Sequence, residues 1–321
     1  MILVTGATGF VGRAVVQRLL TDDDSQQLTV AVRSISGQPW PERVKPIVTG
    51  DLGPSVDWSI ALEGVENIIH SAALAHVMHD TEVAPQRSFR SVNTEGTLNL
   101  AWQAANAGVK RFVFISTLKV SGESSPHGQA FTEINADPQD GYSQSKYQAE
   151  LGLRQITTDT GMEVTIIRPP LVYGPGVKAN FATLMHAVKC GWPLPLGLVH
   201  NQRSFVALDN LVDFIVICIN HPLAANQTFL VSDGQDLSTT ELVQGMAKAA
   251  GVPLHLLPVP VLALQVIATL IGEKEAVQRL CGNLQVDISK ARNLLGWIPP
   301  VPVEEGLRRA MAWRTSHTAE T

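Results

Sequence analysis

The chain holds only three cysteines, Cys190, Cys218 and Cys281, far apart and without a CxxC pair. That scarcity excludes a disulfide framework and a zinc knuckle, and it points to a reducing compartment. Cys218 stands in the apolar run FIVICI and reads as a small buried hydrophobe. Positive charge is also scarce: 24 Lys and Arg against 29 Asp and Glu leave a formal net charge of −5. A nucleic-acid surface has to neutralise many phosphates, so that class is excluded, although a local basic pocket for one nucleotide is not. No apolar run reaches the ~20 residues that a spanning helix needs. The most apolar stretch, LLPVPVLALQVIATLIG at 256–272, is interrupted by two prolines and two polar residues. It predicts a buried or interfacial helix, with membrane contact the less favoured reading. No basic region precedes the first apolar segment at Ile2, so no leader peptide is expected and the expected location is cytoplasmic. His76, His79 and Asp80 in AHVMHD are poorly spaced for a helical HxxxH site and have no separated third ligand. No metal is therefore expected.

What is present is enough apolar sequence, 45% of 321 residues, for one large core and a smaller lobe. The first half alternates strand-like and helix-like segments. MILVTG, LTVAVR, ENIIHSAA, KRFVFIST and MEVTIIRPP read as strands. FVGRAVVQRLL, a long helix over 85–108 closed by Gly108, and GYSQSKYQAELGLRQITTDTG read as helices. This predicts an α/β fold: a Rossmann-type doubly wound parallel sheet with a smaller mixed C-terminal substrate lobe. After YGPG the pattern loosens, then RSFVALDNLVDFIVICI returns as a strand and a helix. The predicted dinucleotide-binding domain is therefore 1–172 plus about 204–235. The substrate-binding lobe is 173–203 plus about 236–321.

The turn between the first strand and helix is Gly6-Ala7-Thr8-Gly9-Phe10-Val11-Gly12. One glycine permits the tight turn, a second lets backbone approach a pyrophosphate, and the third allows close helix–strand packing. The helix N-terminus adds N–H donors and the positive end of its dipole. Gly6, Thr8, Gly9, Phe10, Val11 and Gly12 are the candidate cofactor residues here. At the end of the second strand, where a carboxylate would hold the ribose 2′-OH of NAD, the chain has Ala31-Val32-Arg33-Ser34 and no acid. Arg33 suits a 2′-phosphate, so NADP(H) is favoured and NAD(H) left open. Asp51 in GDL is placed either to accept from an adenine amino group or to cap a loop.

Tyr142 and Lys146 lie four residues apart, on one helix face, twenty-five residues after Thr117. A lysine so placed is expected to lower the tyrosine pKa towards working pH. The tyrosine can then exchange a proton with a carbonyl or alcohol oxygen while a hydride moves at the carbon.

Together TGATGFVG, GDL, IIHSAA, VNTEGTLNL, FISTLKVSG, YSQSK, IIRPPLVYGPG and RSFVALDNLVD resemble the extended short-chain dehydrogenase/reductase family, in its NAD-dependent nucleotide-sugar epimerase/dehydratase branch. The motifs run in family order over 1–215, with a weaker echo in VDISKARNLLGW. The resemblance implies that Tyr142 is the acid/base and that Lys146 holds the nicotinamide ribose. It implies that Thr117 bonds the reacting oxygen, with Ser116 the fallback. Ala72 and Ala73 would lie under the cofactor, Asn93 would brace the backbone, and Leu52 and Pro169 would complete the cofactor contacts. Asn180 and Arg203 match positions that grip the diphosphate of a nucleotide sugar; pairing of Arg203 with Asp209 is the plainer alternative. Lys119 could reach the substrate or remain a solvated lysine. The activity implied is oxidoreduction at C4 of a nucleotide sugar. NADPH-dependent 4-keto reduction of a UDP-(N-acetyl)-6-deoxyhexose leads, because two positions depart from the epimerase pattern. Val120-Ser121-Gly122 replaces VYG, and Leu171 replaces an asparagine. A redox-neutral 4-epimerase is the rival, and a non-catalytic NADPH-binding protein a distant one. Homodimerisation through helices 85–108 and 140–160 is also implied.

Overall fold

In the computed structural model, residues 1–313 are described apart from 24–26, 36–38, 76–87, 271 and 273. Seven strands form one parallel sheet: β1 (Ile2–Thr5), β2 (Leu28–Val32), β3 (Val44–Val48), β4 (Asn67–His70), β5 (Arg111–Ile115), β6 (Glu163–Arg168) and β9 (Thr228–Leu230). Their order is β3-β2-β1-β4-β5-β6-β9. The doubly wound α/β sheet expected from the sequence is therefore present. The chain winds outward from β1 to β3, then returns to place β4 on the other side of β1. That reversal opens a crevice beyond the C-terminal ends of β1 and β4.

Side-chain alternation along each strand divides the core between the two sheet faces. Ile2, Val4, Ile69, Val113 and Ile167 point to one face, where they meet α1 (Phe10–Asp22), α6 (Leu208–Asn220) and α10 (Ser289–Leu295). Leu3, Ile68, Phe112, Phe114 and Ile166 point to the other. There they meet α2 (Ser59–Leu62), α3 (Thr97–Asn106) and α4 (Gly141–Thr160). A π-helical stretch, Arg90–Gly96, leads into α3. The part of the long predicted helix before residue 88 lies outside the described residues.

A third apolar cluster gathers Tyr173, Phe181, Met185, Leu242, Met246, Leu307 and Met311. It joins α5 (Ala179–Lys189), α7 (Thr239–Ala250) and α11 (Val303–Ala312). The short parallel pair β7 (Leu171–Tyr173) and β8 (Phe205–Ala207) runs beside it. Two further helices, α8 (Val261–Leu270) and α9 (Lys274–Cys281), form a hairpin on this side. Of the two readings of 256–272, a buried or an interfacial helix, the buried one does not hold. Ala268 is the only residue of α8 that is fully buried, while Leu262 and Leu270 are 76% and 82% exposed. Among the described residues no helix is long and apolar enough to cross a membrane.

Candidate active site

Gly6 follows β1 with φ at +70°, a conformation that side chains rarely adopt. A Cβ there would lie 2.7 Å from the Ala72 nitrogen. A Cβ on Gly12 would lie 2.2 Å from the Gly6 carbonyl oxygen. The turn, the first helical turn of α1 and the Ser71–Ala72 backbone after β4 are therefore packed closer than any side chain permits. Gly9 caps α1 without a side-chain bond, and no acidic residue stands in the first turn. The N–H groups and dipole at that end are uncompensated, as an anion site requires. Thr8 is exposed, while Phe10 and Val11 pack partly against the core. These features fit a dinucleotide pyrophosphate.

The β1 and β4 ends are pinned to each other below the turn. His70 lies between Thr5 and Thr97, with Nδ1 2.7 Å from Thr5 Oγ1 and Nε2 2.9 Å from Thr97 Oγ1. Burial, with a contribution from Lys146, pushes His70 down to about 3, so it is a neutral packed imidazole. Ser71 Oγ donates to the Thr5 carbonyl at 2.8 Å, and Ala72 N donates weakly to Thr5 Oγ1. Asn93 is fully buried. Its amide donates to Leu74 O and Ser145 Oγ, both at 3.0 Å, while its Oδ1 accepts from Leu74 N at 2.8 Å. It thereby ties the loop that carries Ala72 and Ala73 to the helix that carries Tyr142 and Lys146.

At the end of β5 the backbone turns outward. Leu118 N donates to Pro169 O at 2.8 Å, holding this segment against the end of β6. Ser116 and Thr117 then take opposite fates. Ser116 is buried and donates to Glu150 Oε1 at 2.6 Å. Thr117 is part-exposed and accepts from Lys119 N at 3.3 Å, and among the described residues its own proton has no acceptor. Lys119 Nζ reaches Asp140 at 2.5 Å and Glu123 at 3.4 Å. Asp140 is the N-cap of α4, and its carboxylate also accepts from Ser143 N at 2.6 Å. One carboxylate thus couples the Thr117 segment to the start of the helix bearing Tyr142. The pattern Asp-x-x-Ser before that helix was an available signal for this cap.

The electrostatics of α4 differ from the sequence expectation. Burial, reinforced by Asp140, pushes Tyr142 up to about 12. Lys146 is fully buried with Nζ 4.2 Å from the Phe114 ring centroid. Desolvation pushes it down to about 7, against the opposing pull of Glu150. Lys146 therefore does not lower the tyrosine pKa through the protein's own charges, and Tyr142 is a protonated phenol at neutral pH. The ring of Phe89 lies edge-on to Tyr142 at 6.1 Å.

The remaining candidates are spread around this centre. Arg33 and Asp51 follow β2 and β3 and face each other at 3.9 Å, 81% and 87% exposed. Leu52 packs where a Cβ on Gly96 would be 2.9 Å away. Asn180 is exposed in the first turn of α5, next to Ala179 with φ at +57°. Arg203 pairs its backbone with Leu237 and donates from Nη1 to Gly282 O at 2.9 Å. Burial lowers its pKa to about 10. It does not pair with Asp209, which Arg309 holds at 2.8 Å. No hydrogen bond joins Asn180 to Arg203. His76, His79 and Asp80 lie outside the described residues.

One polar network was not legible in the sequence. Glu150 and Arg168, both fully buried, form two bonds of 2.6 and 2.9 Å. Arg168 also donates to Ser121 Oγ, Glu133 O and Asn135 O. Ser121, where the family pattern has tyrosine, is thus a buried structural partner.

A family model described as NAD dependent epimerase/dehydratase matches residues 2–232. The chain belongs to that family. It is 47% identical, over 96% of its length and 93% of the relative's, to a UDP-glucose 4-epimerase of Vibrio cholerae. It is 26% identical, over 98% and 96%, to the N-acetyl-alpha-D-glucosaminyl-diphospho-ditrans,octacis-undecaprenol 4-epimerase of Escherichia coli O157:H7. Its fold matches UDP-glucuronic acid 4-epimerase from Bacillus cereus in complex with NAD, with a TM-score of 0.76 at 21% identity over 97% of each chain. The protein is an enzyme of the epimerase/dehydratase family.

Proposed function

We propose that this enzyme catalyses oxidoreduction at C4 of a nucleotide sugar. The specific reaction is NADPH-dependent reduction of the 4-keto group of a UDP-linked N-acetyl-6-deoxyhexose for surface-polysaccharide synthesis. The observation that carries the reading is Tyr142, a protonated phenol next to the Asp140 cap that Lys119 links to Thr117. A phenol kept protonated is a ready acid for a ketone oxygen. When bound, the nicotinamide supplies the hydride that becomes the new C4–H bond. Tyr142 donates its hydroxyl proton to O4 as the C=O π bond breaks, and it later recovers a proton from water. The Thr117 hydroxyl hydrogen-bonds O4, and the Lys146 side-chain nitrogen holds the ribose. Gly6, Thr8, Gly9, Phe10, Val11 and Gly12 receive the pyrophosphate, with Ala72, Ala73 and Pro169 alongside. Arg33 supports NADP(H), because a guanidinium stands where NAD enzymes place a carboxylate. Arg203 and Asn180 grip the substrate diphosphate, and Lys119 borders its sugar.

The reading assigns cofactor binding to 1–172 with about 204–235, and sugar binding to 173–203 with about 236–321. It includes a cytoplasmic site of action and a homodimer packed through the helices around 85–108 and 140–160. The Vibrio cholerae relative favours a second reading, redox-neutral 4-epimerisation. Purified protein decides between them. Net NADPH oxidation with a UDP-4-keto sugar is expected, with Tyr142→Phe slowing it by about 10²–10⁴-fold and leaving NADPH binding nearly unchanged. Conversion of UDP-glucose to UDP-galactose by tightly held NAD, without added reductant, would overturn the reductase assignment.

A further inference from the structure

Leu171 is the first residue of β7 and is 40% exposed. A single exposed leucine is ordinary on a protein surface. This one stands where the sheet meets the lobe. Side chains alternate along β7, so Val172 packs against the sheet core and Tyr173 in the lobe cluster. Leu171 shares the face of Tyr173. Its register partner on β8 is Phe205, which belongs to the same lobe cluster. Tyr173 and Phe205 are 1% and 5% exposed, so the apolar surface of the lobe comes into the open at Leu171.

Neighbours in the chain and in the sheet fix where that opening lies. Strand β7 follows the C-terminal end of β6 through Pro169 and Pro170. The Pro169 carbonyl accepts from the backbone of Leu118, the residue after Thr117. Phe205 follows Arg203 by two positions. Leu171 is therefore two residues from the segment tied to Thr117 and, across the β7–β8 pair, two residues from Arg203. The inference rests on the assignment of Thr117 to the reacting oxygen and of Arg203 to the diphosphate. On that assignment the hexose ring lies between them, against Leu171.

The chemistry of the ring selects which edge faces the leucine. A hexopyranose joined to the diphosphate at C1 and reacting at C4 presents two edges between those atoms. The C2–C3 edge carries oxygen or nitrogen substituents that need hydrogen-bond partners. The O5–C5 edge carries C6, a methyl group in a 6-deoxyhexose and a hydroxymethyl group in an ordinary hexose. Leucine offers no donor or acceptor, so the C2–C3 substituents would lose their partners against it. A C6 methyl instead gains by leaving water there. A C6 hydroxyl would exchange water for hydrocarbon.

We propose that Leu171 reads C6 of the sugar, and that its contact with a methyl group selects 6-deoxyhexoses over hexoses that carry a C6 hydroxyl. An apolar wall rejects an added hydroxyl only modestly, so the preference is about tenfold to a hundredfold.

The test is calorimetric titration of the full-length protein, without added cofactor, with UDP-N-acetylglucosamine, its 6-deoxy counterpart and UDP. Neither sugar has a ketone to reduce, so binding alone is read. Wild type is expected to bind the 6-deoxy sugar about tenfold or more tightly than UDP-N-acetylglucosamine. Leu171→Asn keeps the size of the side chain and adds a donor and an acceptor. It is expected to cancel or reverse the preference and to leave UDP affinity unchanged. Leu171→Met keeps an apolar contact and is expected to retain the preference. Equal affinity of wild type for the two sugars, or an unchanged ratio in Leu171→Asn, would overturn the proposal. So would loss of the preference in Leu171→Met. A fall in UDP affinity in Leu171→Asn would also overturn it, by making Leu171 a support of the diphosphate site. Absence of binding by all three ligands would remove the nucleotide-sugar site and the proposal with it. A protein that shows the expected ratios but oxidises no NADPH with a 4-keto sugar counts against the proposed reduction and not against Leu171.

Discussion

Arg168 and Glu150 show how single residues hold the site in place. Both are charged, both are fully buried, and each is bonded to several partners. Removing Arg168 leaves the buried Glu150 carboxylate with only Arg154 at 3.2 Å and Ser116 among the described residues, and breaking a buried pair in this way costs about 3–5 kcal/mol at most. Arg168→Met is therefore expected to lower unfolding stability by that amount in a urea titration, with activity falling because Glu150 lies one turn beyond Lys146. The same network separates Ser116 from Thr117, which the sequence could rank only through the family resemblance. A carboxylate thirty-four positions further along the chain claims the serine hydroxyl, and no local pattern records that. At the cofactor's other end, Arg33 is exposed, and among the described residues its one ion pair is the long one to Asp51. Arg33→Ala is expected to weaken NADPH binding about tenfold or more and NADH binding little, measured by fluorescence titration of the two nucleotides. Equal losses for both would remove Arg33 from the 2′-phosphate site.

At the scale of elements, α4 does most to organise the site, and its start is set by Asp140. The carboxylate caps Ser143 N, pairs with Lys119 and raises Tyr142. Asp140→Asn separates these effects, because asparagine caps about as well as aspartate. It is expected to change stability by less than about 1 kcal/mol while moving the tyrosine ionisation to lower pH. An ultraviolet titration of the phenol compared with Tyr142→Phe would read that shift; no movement would mean that Asp140 acts only as a cap. The parallel strands and their helices were legible because each buried strand is a short apolar run closed by glycine, proline or small residues. The edge strand β9, three residues long, was not separable from the loop around it. Nor was the exposure of α8, since an apolar stretch in a sequence says that a helix is covered without saying by what. The pairing of Lys146 with Tyr142 was legible as geometry and wrong as electrostatics. Burial dominates the shift of each, with Asp140 and Glu150 as the neighbouring charges, and burial is a property of the assembled fold.

For the whole molecule, two fully buried basic groups near the crevice set the pH response. His70 falls from its ordinary value to about 3 and Lys146 to about 7. In each case the unfolded chain binds a proton that the folded chain refuses between the two values, so folding stability increases with pH across that interval. His70 makes the protein lose stability as pH falls from about 6.5 to about 3. Lys146 acts separately, between about 7 and 10.5. Below about 7 it is charged in both states, and the fold bears the cost of a desolvated ammonium that, among the described residues, the Phe114 ring face and Glu150 oppose. Above that pH the cost fades. Lys146→Met removes the ammonium and keeps the buried stem. It is expected to make the protein more stable at pH 7, by on the order of a few kcal/mol, and to abolish the further gain that wild type shows on going to pH 9.5. Melting temperatures of both proteins at the two pH values, taken without added nucleotide, measure this. A variant that gains as much as wild type between those values would place the titrating group elsewhere, and Lys146 would then be charged in the fold at neutral pH.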